Sequence, residues 1–156
     1  MRQKNINLTL LFGIANTKYS ILFLYLIIIT PLLFLHSAFE EWDGVMHYFG
    51  GIQILDGFGY CGWESKFWPP LYSILVALSS KIFGGFWAAK LISFISGGLL
   101  LQLAYEASYT FFKDRNISTL TQIFVLLNPY FILSSIQADN HALDALFFGL
   151  GLLFFI

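Results

Sequence analysis

The chain has 156 residues, of which 58% are hydrophobic and only 11% are charged. A soluble domain of this length could not bury so much apolar surface, so the composition predicts a membrane protein. The net charge of −1 gives no indication of a nucleic-acid partner. The single cysteine, Cys61, cannot form an internal disulfide.

The first apolar run covers residues 19–39, after a polar and mildly basic N-terminal segment. It is long enough to cross a bilayer core of about 30 Å, and Pro31 is expected to kink it. A cleaved signal peptide is the alternative, but the run is long for a signal sequence and further apolar runs follow. The preceding basic residues place the N-terminus in the cytoplasm, so that residues 40–85 form an extracytoplasmic loop.

Two short helices are expected to lie at the membrane surface within this loop. Residues 43–55 place Val45, Phe49 and Ile52 on one helical face, and Gly57 is expected to end that helix. Residues 70–83 are too few for a full span and fit a re-entrant or interfacial helix. If they do cross the membrane instead, the orientation of every later span is reversed.

Further spans are predicted over residues 86–112, 118–136 and 141–156, with a bend at Asn128-Pro129. Lys113 and Arg115 favour a cytoplasmic position for the end of the 86–112 span. The last run reaches only about 22 Å, which indicates the N-terminal part of a longer polytopic protein or a truncated reading frame. The predicted fold class is therefore all-α, a polytopic membrane helix bundle with surface helices in its first loop.

The candidate catalytic groups are three carboxylates, those of Asp43, Asp139 and Glu41. This topology places Asp43 and Asp139 on the same face of the membrane. Asp43 in the first turn of the loop helix could act as a general base, with Glu41 two residues before it. The alternative is that acidic residues simply solvate the end of a span. Asp139 could be catalytic or could cap the following helix. Asp144 lies in an apolar run, where carboxylates are usually functional, although this end of the run is near the interface.

The candidate substrate-binding residues are Asp144 and four basic or aromatic residues, Lys90, Lys66, His47 and Tyr60. Lys90 could reach outward to the interface or could hold an anionic lipid phosphate, and Lys66 is a second candidate. Tyr60 belongs to an aromatic-rich loop that could form an interfacial belt or stack on a sugar ring. His47 follows Asp43 by one helical turn, and interfacial hydrogen bonding is its expected role.

A metal site is conceivable from four of these side chains, Asp43, His47, Asp139 and His141. None of the compact metal-ligand motifs is present, so no metal site is predicted.

Several short motifs follow one another in a fixed order. They are Trp42-Asp43, Gly57-x-Gly59-Tyr60, Pro69-Pro70-Leu71-Tyr72, Ile82-Phe83-Gly84, Trp87-Ala88-Ala89-Lys90-Leu91 and the run NPYFILSSIQADNHALDALFFGLGLLF. In order and spacing they resemble membrane glycosyltransferases of the GT-C superfamily, and most closely the dolichyl-phosphate-mannose protein mannosyltransferase and aminoarabinose transferase group. The Trp-Asp-Gly with a later Gly-Tyr is also similar to the glycosylphosphatidylinositol mannosyltransferases of that superfamily.

The resemblance implies an inverting transfer of a sugar from a polyprenyl-phosphate carrier to a lipid, glycan or protein acceptor, without a metal or other cofactor. Asp43 would correspond to the family's general base or acceptor-positioning aspartate, and either Asp139 or Asp144 to its second carboxylate. Lys90 would contact the lipid phosphate. The family often has a second acid directly after the first aspartate, whereas this chain has Gly44.

Two other classes of protein remain as alternatives. A transport or channel component would use Asp144, Glu106 and Lys90 as intramembrane charges along an ion path. An inactive membrane scaffold would lack a pocket above the outer surface. The glycosyltransferase hypothesis instead predicts that Asp43 approaches Asp139, in a multi-pass protein of the cell membrane with a cytoplasmic N-terminus.

Overall fold

The computed structural model describes residues 19–36, 42–60 and 69–155, and their regular secondary structure is entirely α-helical. The helices in these ranges are α1 (Ser20–Leu35), α2 (Trp42–Leu55), α3 (Pro70–Phe83), α4 (Gly85–Phe112), α5 (Arg115–Leu126), α6 (Pro129–Ile136) and α7 (His141–Phe154). The predicted all-α class is therefore confirmed for the described part of the chain.

Helix α4 is the central element, against which α1, α3, α5, α6 and α7 all pack. Its 28 residues extend about 42 Å. The lack of a side chain at Gly97 allows α1 and α6 to approach α4 closely. A Cβ there would overlap the hydroxyl of Ser135 and come within 2.8 Å of the Tyr25 hydroxyl oxygen. Tyr25 donates a hydrogen bond of 2.6 Å to the carbonyl of Phe94.

Helix α1 runs antiparallel to α4. Tyr25, near its start, contacts Phe94, whereas Leu33, near its end, contacts Lys90. Pro31 lies inside the continuous helix, which ends at Leu35. The predicted extension to residue 39 falls on residues outside the described ranges. With 16 residues, α1 covers about 24 Å, less than the bilayer core of about 30 Å.

Helix α2 packs through glycines rather than through its larger apolar side chains. Its buried positions are Gly44, His47, Gly50 and Gly51. Phe49, on the predicted apolar face, is 51% exposed. This arrangement suits a helix that packs on protein with one face and turns apolar side chains outward with the other. The predicted stop is confirmed, since the helix ends at Leu55 and Gly57 has a φ of 84°.

Helices α5 and α6 are separated by a sharp break of 66°. Asn128 precedes Pro129, and its side chain accepts a hydrogen bond of 2.9 Å from the amide of Tyr130 at the start of α6. Proline lacks the amide that would continue α5. The bend predicted at Asn128-Pro129 is thus confirmed, and it is a full interruption of the helix.

Among the described helices, α4 alone is by itself long and apolar enough to cross a membrane, over Phe86–Phe112. The bent pair α5 and α6 meets the same criterion only when taken together, and α1, α3 and α7 are shorter apolar helices. Large apolar side chains nevertheless remain exposed on several helices, including Phe23, Phe34, Leu78, Ile82, Phe124 and Phe148. The predicted number of spans stays a prediction.

Candidate functional site

The site is built around the turn between α6 and α7, where Gln137, Ala138, Asp139 and Asn140 are all buried. The Asp139 carboxylate accepts a hydrogen bond of 3.0 Å from the amide of His141, the first residue of α7. The Asp139 carbonyl accepts another of 2.6 Å from the hydroxyl of Ser93 on α4. The N-cap of α7 is Asn140, whose side chain makes no capping bond, so the prediction that Asp139 is the N-cap is wrong. The bond with Ser93 fixes the turn on the central helix.

The first turn of α2 docks on this buried turn through Gly44. A Cβ at Gly44 would overlap the carbonyl oxygen of Ala138 and would lie 3.8 Å from the Cβ of Asp139. Only a residue without a side chain permits this approach. Asp43, the neighbour of Gly44 in the sequence, is partly exposed in the same helical turn. The two aspartates singled out from the sequence thus belong to segments in direct contact.

His47 lies one helical turn further along α2 and is fully buried. Its Nδ1 is 3.2 Å from the hydroxyl of Ser73 on α3. Burial lowers the pKa of His47 below its ordinary value, an effect that the charge of Asp43 and a hydrogen bond with Asn140 oppose and the charge of His141 reinforces. His47 thus forms hydrogen bonds as expected from the sequence, but it does so in a buried position between α2 and α3 rather than at an interface.

Tyr72 extends the polar contacts from α3 to α4. Its hydroxyl donates to the carbonyl of Ala89 at 2.8 Å and lies 3.1 Å from the hydroxyl of Ser93. The ring of His47 packs edge-on against the Tyr72 ring, with 5.2 Å between centroids. Because Ser93 also bonds to Asp139, a buried hydrogen-bonded network holds α2, α3 and α4 on the α6–α7 turn.

Asp144 and Tyr60 lie at the edge of this network. Asp144 is exposed, and its carboxylate accepts a hydrogen bond from the side-chain amide of Asn140. That bond helps to orient Asn140, which in turn contacts His47. The partly buried ring of Tyr60 covers Gly50, where an added Cβ would lie 2.7 Å from the ring edge.

Lys90 is buried inside the protein rather than extended toward an interface. Its ammonium donates to the carbonyl of Leu33 at 2.5 Å and to that of His36, at the C-terminus of α1. The charge also lies 5.0 Å from the ring centroid of Trp87. A cation at this end of a helix satisfies terminal carbonyls and complements the helix dipole. The expectation that Lys90 reaches outward is therefore wrong, whereas its contact with a lipid phosphate stays a prediction.

The network includes four residues to which the sequence analysis assigned no site role, namely Ser73, Tyr72, Ser93 and Asn140. In the sequence these residues could have been found as polar residues within apolar stretches. Such side chains need hydrogen-bond partners when they are buried in a protein core or a membrane. Glu41 and Lys66, two of the predicted site residues, lie outside the described residues. Within the described ranges no group of three potential metal ligands comes together.

Comparison with known proteins gives no match to a protein-family model, a curated protein or a solved structure.

Proposed function

We propose that the chain is a membrane glycosyltransferase of the GT-C type. It would transfer a sugar from a polyprenyl-phosphate carrier to an extracytoplasmic lipid, glycan or protein acceptor. The observation that carries the proposal is the docking of the first turn of α2, through Gly44, on the Asp139 turn. The hypothesis requires such an approach of the segments that carry Asp43 and Asp139.

The proposed chemistry assigns different roles to the two aspartates. Asp43 is partly exposed and can accept the proton of an acceptor hydroxyl or amine as that group attacks the anomeric carbon. The bond to the polyprenyl phosphate breaks as the new glycosidic bond forms, which inverts the configuration. Asp139 is buried and bound to backbone, so it acts by positioning Asn140 and His141 next to His47.

The donor would be held by residues at the same end of α4. Lys90 supplies a positive charge there, although two of its three N–H groups bond to carbonyls of α1. Lys66, Glu41, Tyr60 and Asp144 complete the proposed set of site residues. The reaction needs no metal or cofactor, and the protein would be multi-pass with a cytoplasmic N-terminus.

A transport function receives less support from the arrangement of the charges. An ion path would bring Lys90, Glu106 and Asp144 together in the interior. Lys90 and Glu106 are 16 residues apart on one helix, which separates them by about 24 Å. Glu106 accepts a hydrogen bond from Gln102 on its own helix, and Asp144 is exposed.

The test is turnover of a polyprenyl-phosphate hexose by membranes that contain the chain. Because the acceptor is unidentified, the readout is the polyprenyl phosphate released from a labelled donor, a product common to every acceptor. Asp43→Asn keeps the shape of the side chain and removes the base, so we expect release to fall at least 100-fold.

The matched control is Asp56→Asn, which removes an exposed carboxylate just after the end of the same helix. We expect it to retain the activity of the unmodified chain. Equal activity of the Asp43 and Asp56 variants would refute the role of Asp43. Absence of any release, with the chain inserted and helical, would favour the inactive scaffold.

A further inference from the structure

An apolar groove of about 370 Å³ lies between α4 and α7, at the opposite end of α4 from the Asp139 turn. The groove is lined by small residues, among them Ala104, Ala107 and Gly149, and by the larger Phe111 and Leu152. The groove residues of α4 recur at helical spacing and form one face. Its volume falls within the range of about 300–1,000 Å³ that is typical of small-molecule sites.

The groove lacks polar lining residues, which restricts its occupant to an apolar chain. Gln102 and Glu106 lie at the same level of α4, but neither lines the groove, and they bond to each other. A sugar or a peptide backbone entering the groove would lose its hydrogen bonds to water without replacement. A hydrocarbon chain would lose none.

Two cationic residues follow closely in the sequence after the last α4 residue that lines the groove. Phe111 lines it, and Lys113 and Arg115 come two and four residues later, both exposed. Asp114 lies between them, but its carboxylate accepts hydrogen bonds from the amides of Asn116 and Ile117. Among the described residues neither cation forms an ion pair, so their charges are available to an external anion.

We propose that this groove binds one acyl chain of an anionic phospholipid, whose phosphate lies beside Lys113 and Arg115. An apolar groove lined by Phe111, with two exposed cations two and four residues later in the chain, matches the two parts of such a lipid. The proposal depends on the membrane location proposed above, but not on sugar transfer. In the orientation proposed above, these cations face the anionic cytoplasmic leaflet.

Lipid retention tests the proposal directly. The full chain is purified in detergent with equal amounts of phosphatidylglycerol and phosphatidylcholine of identical acyl chains, and retained lipids are counted by native mass spectrometry. We expect a preference for phosphatidylglycerol of about fivefold for each cation. Lys113→Gln with Arg115→Gln should reduce this preference to near one.

Two controls separate this site from general effects. Lys81→Gln removes an exposed lysine in the last turn of α3 and should keep the preference. Ala107→Phe fills the groove and should lower retention of both lipids. Ala145→Phe places the same ring at an exposed position of α7 outside the groove and should leave the retention of both lipids unchanged.

Three results would overturn the proposal. Equal retention of the two lipids by the unmodified chain would remove the role of charge. An equal effect of Lys81→Gln would show a nonspecific surface attraction. A dimer that Ala107→Phe converts to a monomer would identify a second copy of the chain as the occupant. Because donor turnover is a separate readout, failure here leaves the sugar-transfer proposal intact, and the converse also holds.

Discussion

At the scale of single residues, Gly44 determines how closely α2 approaches the Asp139 turn. A methyl group at Gly44 would overlap a backbone carbonyl, which cannot rotate away as a side chain could. The proposed GT-C family often has an acid at this position. In this chain any side chain there would force α2 away from Ala138.

We expect Gly44→Ala to destabilise the protein by about 1–2 kcal/mol, because the clash outweighs the better helix propensity of alanine. Gly151→Ala is the matched control, since nothing lies within 4 Å of a Cβ added at that helical glycine. That substitution should be neutral or stabilising. Thermal unfolding in detergent measures both, and equal stability of the two variants would contradict the close approach.

The buried His47 gives the site a dependence on pH. Burial lowers the pKa of His47 from its ordinary 6.5, so the folded protein binds fewer protons than the unfolded chain. The stability that neutral His47 contributes is therefore present above pH 6.5 and is lost as the pH falls below it. The slope can reach about 1.4 kcal/mol per pH unit.

His47→Gln should remove this slope, because glutamine can replace the hydrogen bond to Ser73 but cannot take up a proton. Denaturant unfolding between pH 7.5 and 5 compares the variant with the unmodified chain. In a protein that keeps His47, Asp43→Asn should make the loss of stability at low pH larger. The reason is that the charge of Asp43 favours protonated His47. An unchanged slope in the glutamine variant would assign the pH effect to other groups.

At the scale of the elements, local chemistry in the sequence predicts most helix boundaries. The stop at Gly57 and the break at Asn128-Pro129 depend on backbone properties of glycine and proline that act without tertiary context. The side of α2 that packs could not be predicted in this way. Hydrophobic periodicity indicated the face with Val45, Phe49 and Ile52. The face of α2 that packs on the neighbouring helices is instead rich in glycines, which have no apolar side chain for such a pattern to detect.

The surroundings of Lys90 show a second limit of element-level prediction. A lysine near the end of an apolar helix normally extends toward water. Here the end of α1 lies opposite, and its carbonyls need donors that only a neighbouring helix can supply. Which helix end meets which side chain depends on the packing of α1 against α4, and one sequence alone does not specify it.

At the scale of the whole molecule, helix order and charge predicted that Asp43 and Asp139 lie at the same end of the bundle. The contacts agree with that arrangement, since α1 runs antiparallel to α4 and the Asp139 turn binds Ser93, in the first third of α4. Hydrogen bonding was expected of His47, but its partner Ser73 and the bonds of Tyr72 were not predicted, because they join residues from different helices. The placement of this end outside the cytoplasm is still a prediction.

Labelling of single cysteines measures that placement. In a Cys61→Ser background, Phe58→Cys and Asn116→Cys introduce thiols at exposed positions near opposite ends of the bundle. A membrane-impermeant thiol reagent applied to intact cells should modify Phe58→Cys only, and Asn116→Cys should react only after the cells are opened. Reaction of both cysteines in intact cells would place residues 58 and 116 on the same side of the membrane, either because α4 does not cross or because α3 crosses as well. The proposed topology would then be wrong. Reaction of Asn116→Cys alone would reverse the orientation, and Asp43 could not act on an extracytoplasmic acceptor because the site and the substrate would lie in different compartments.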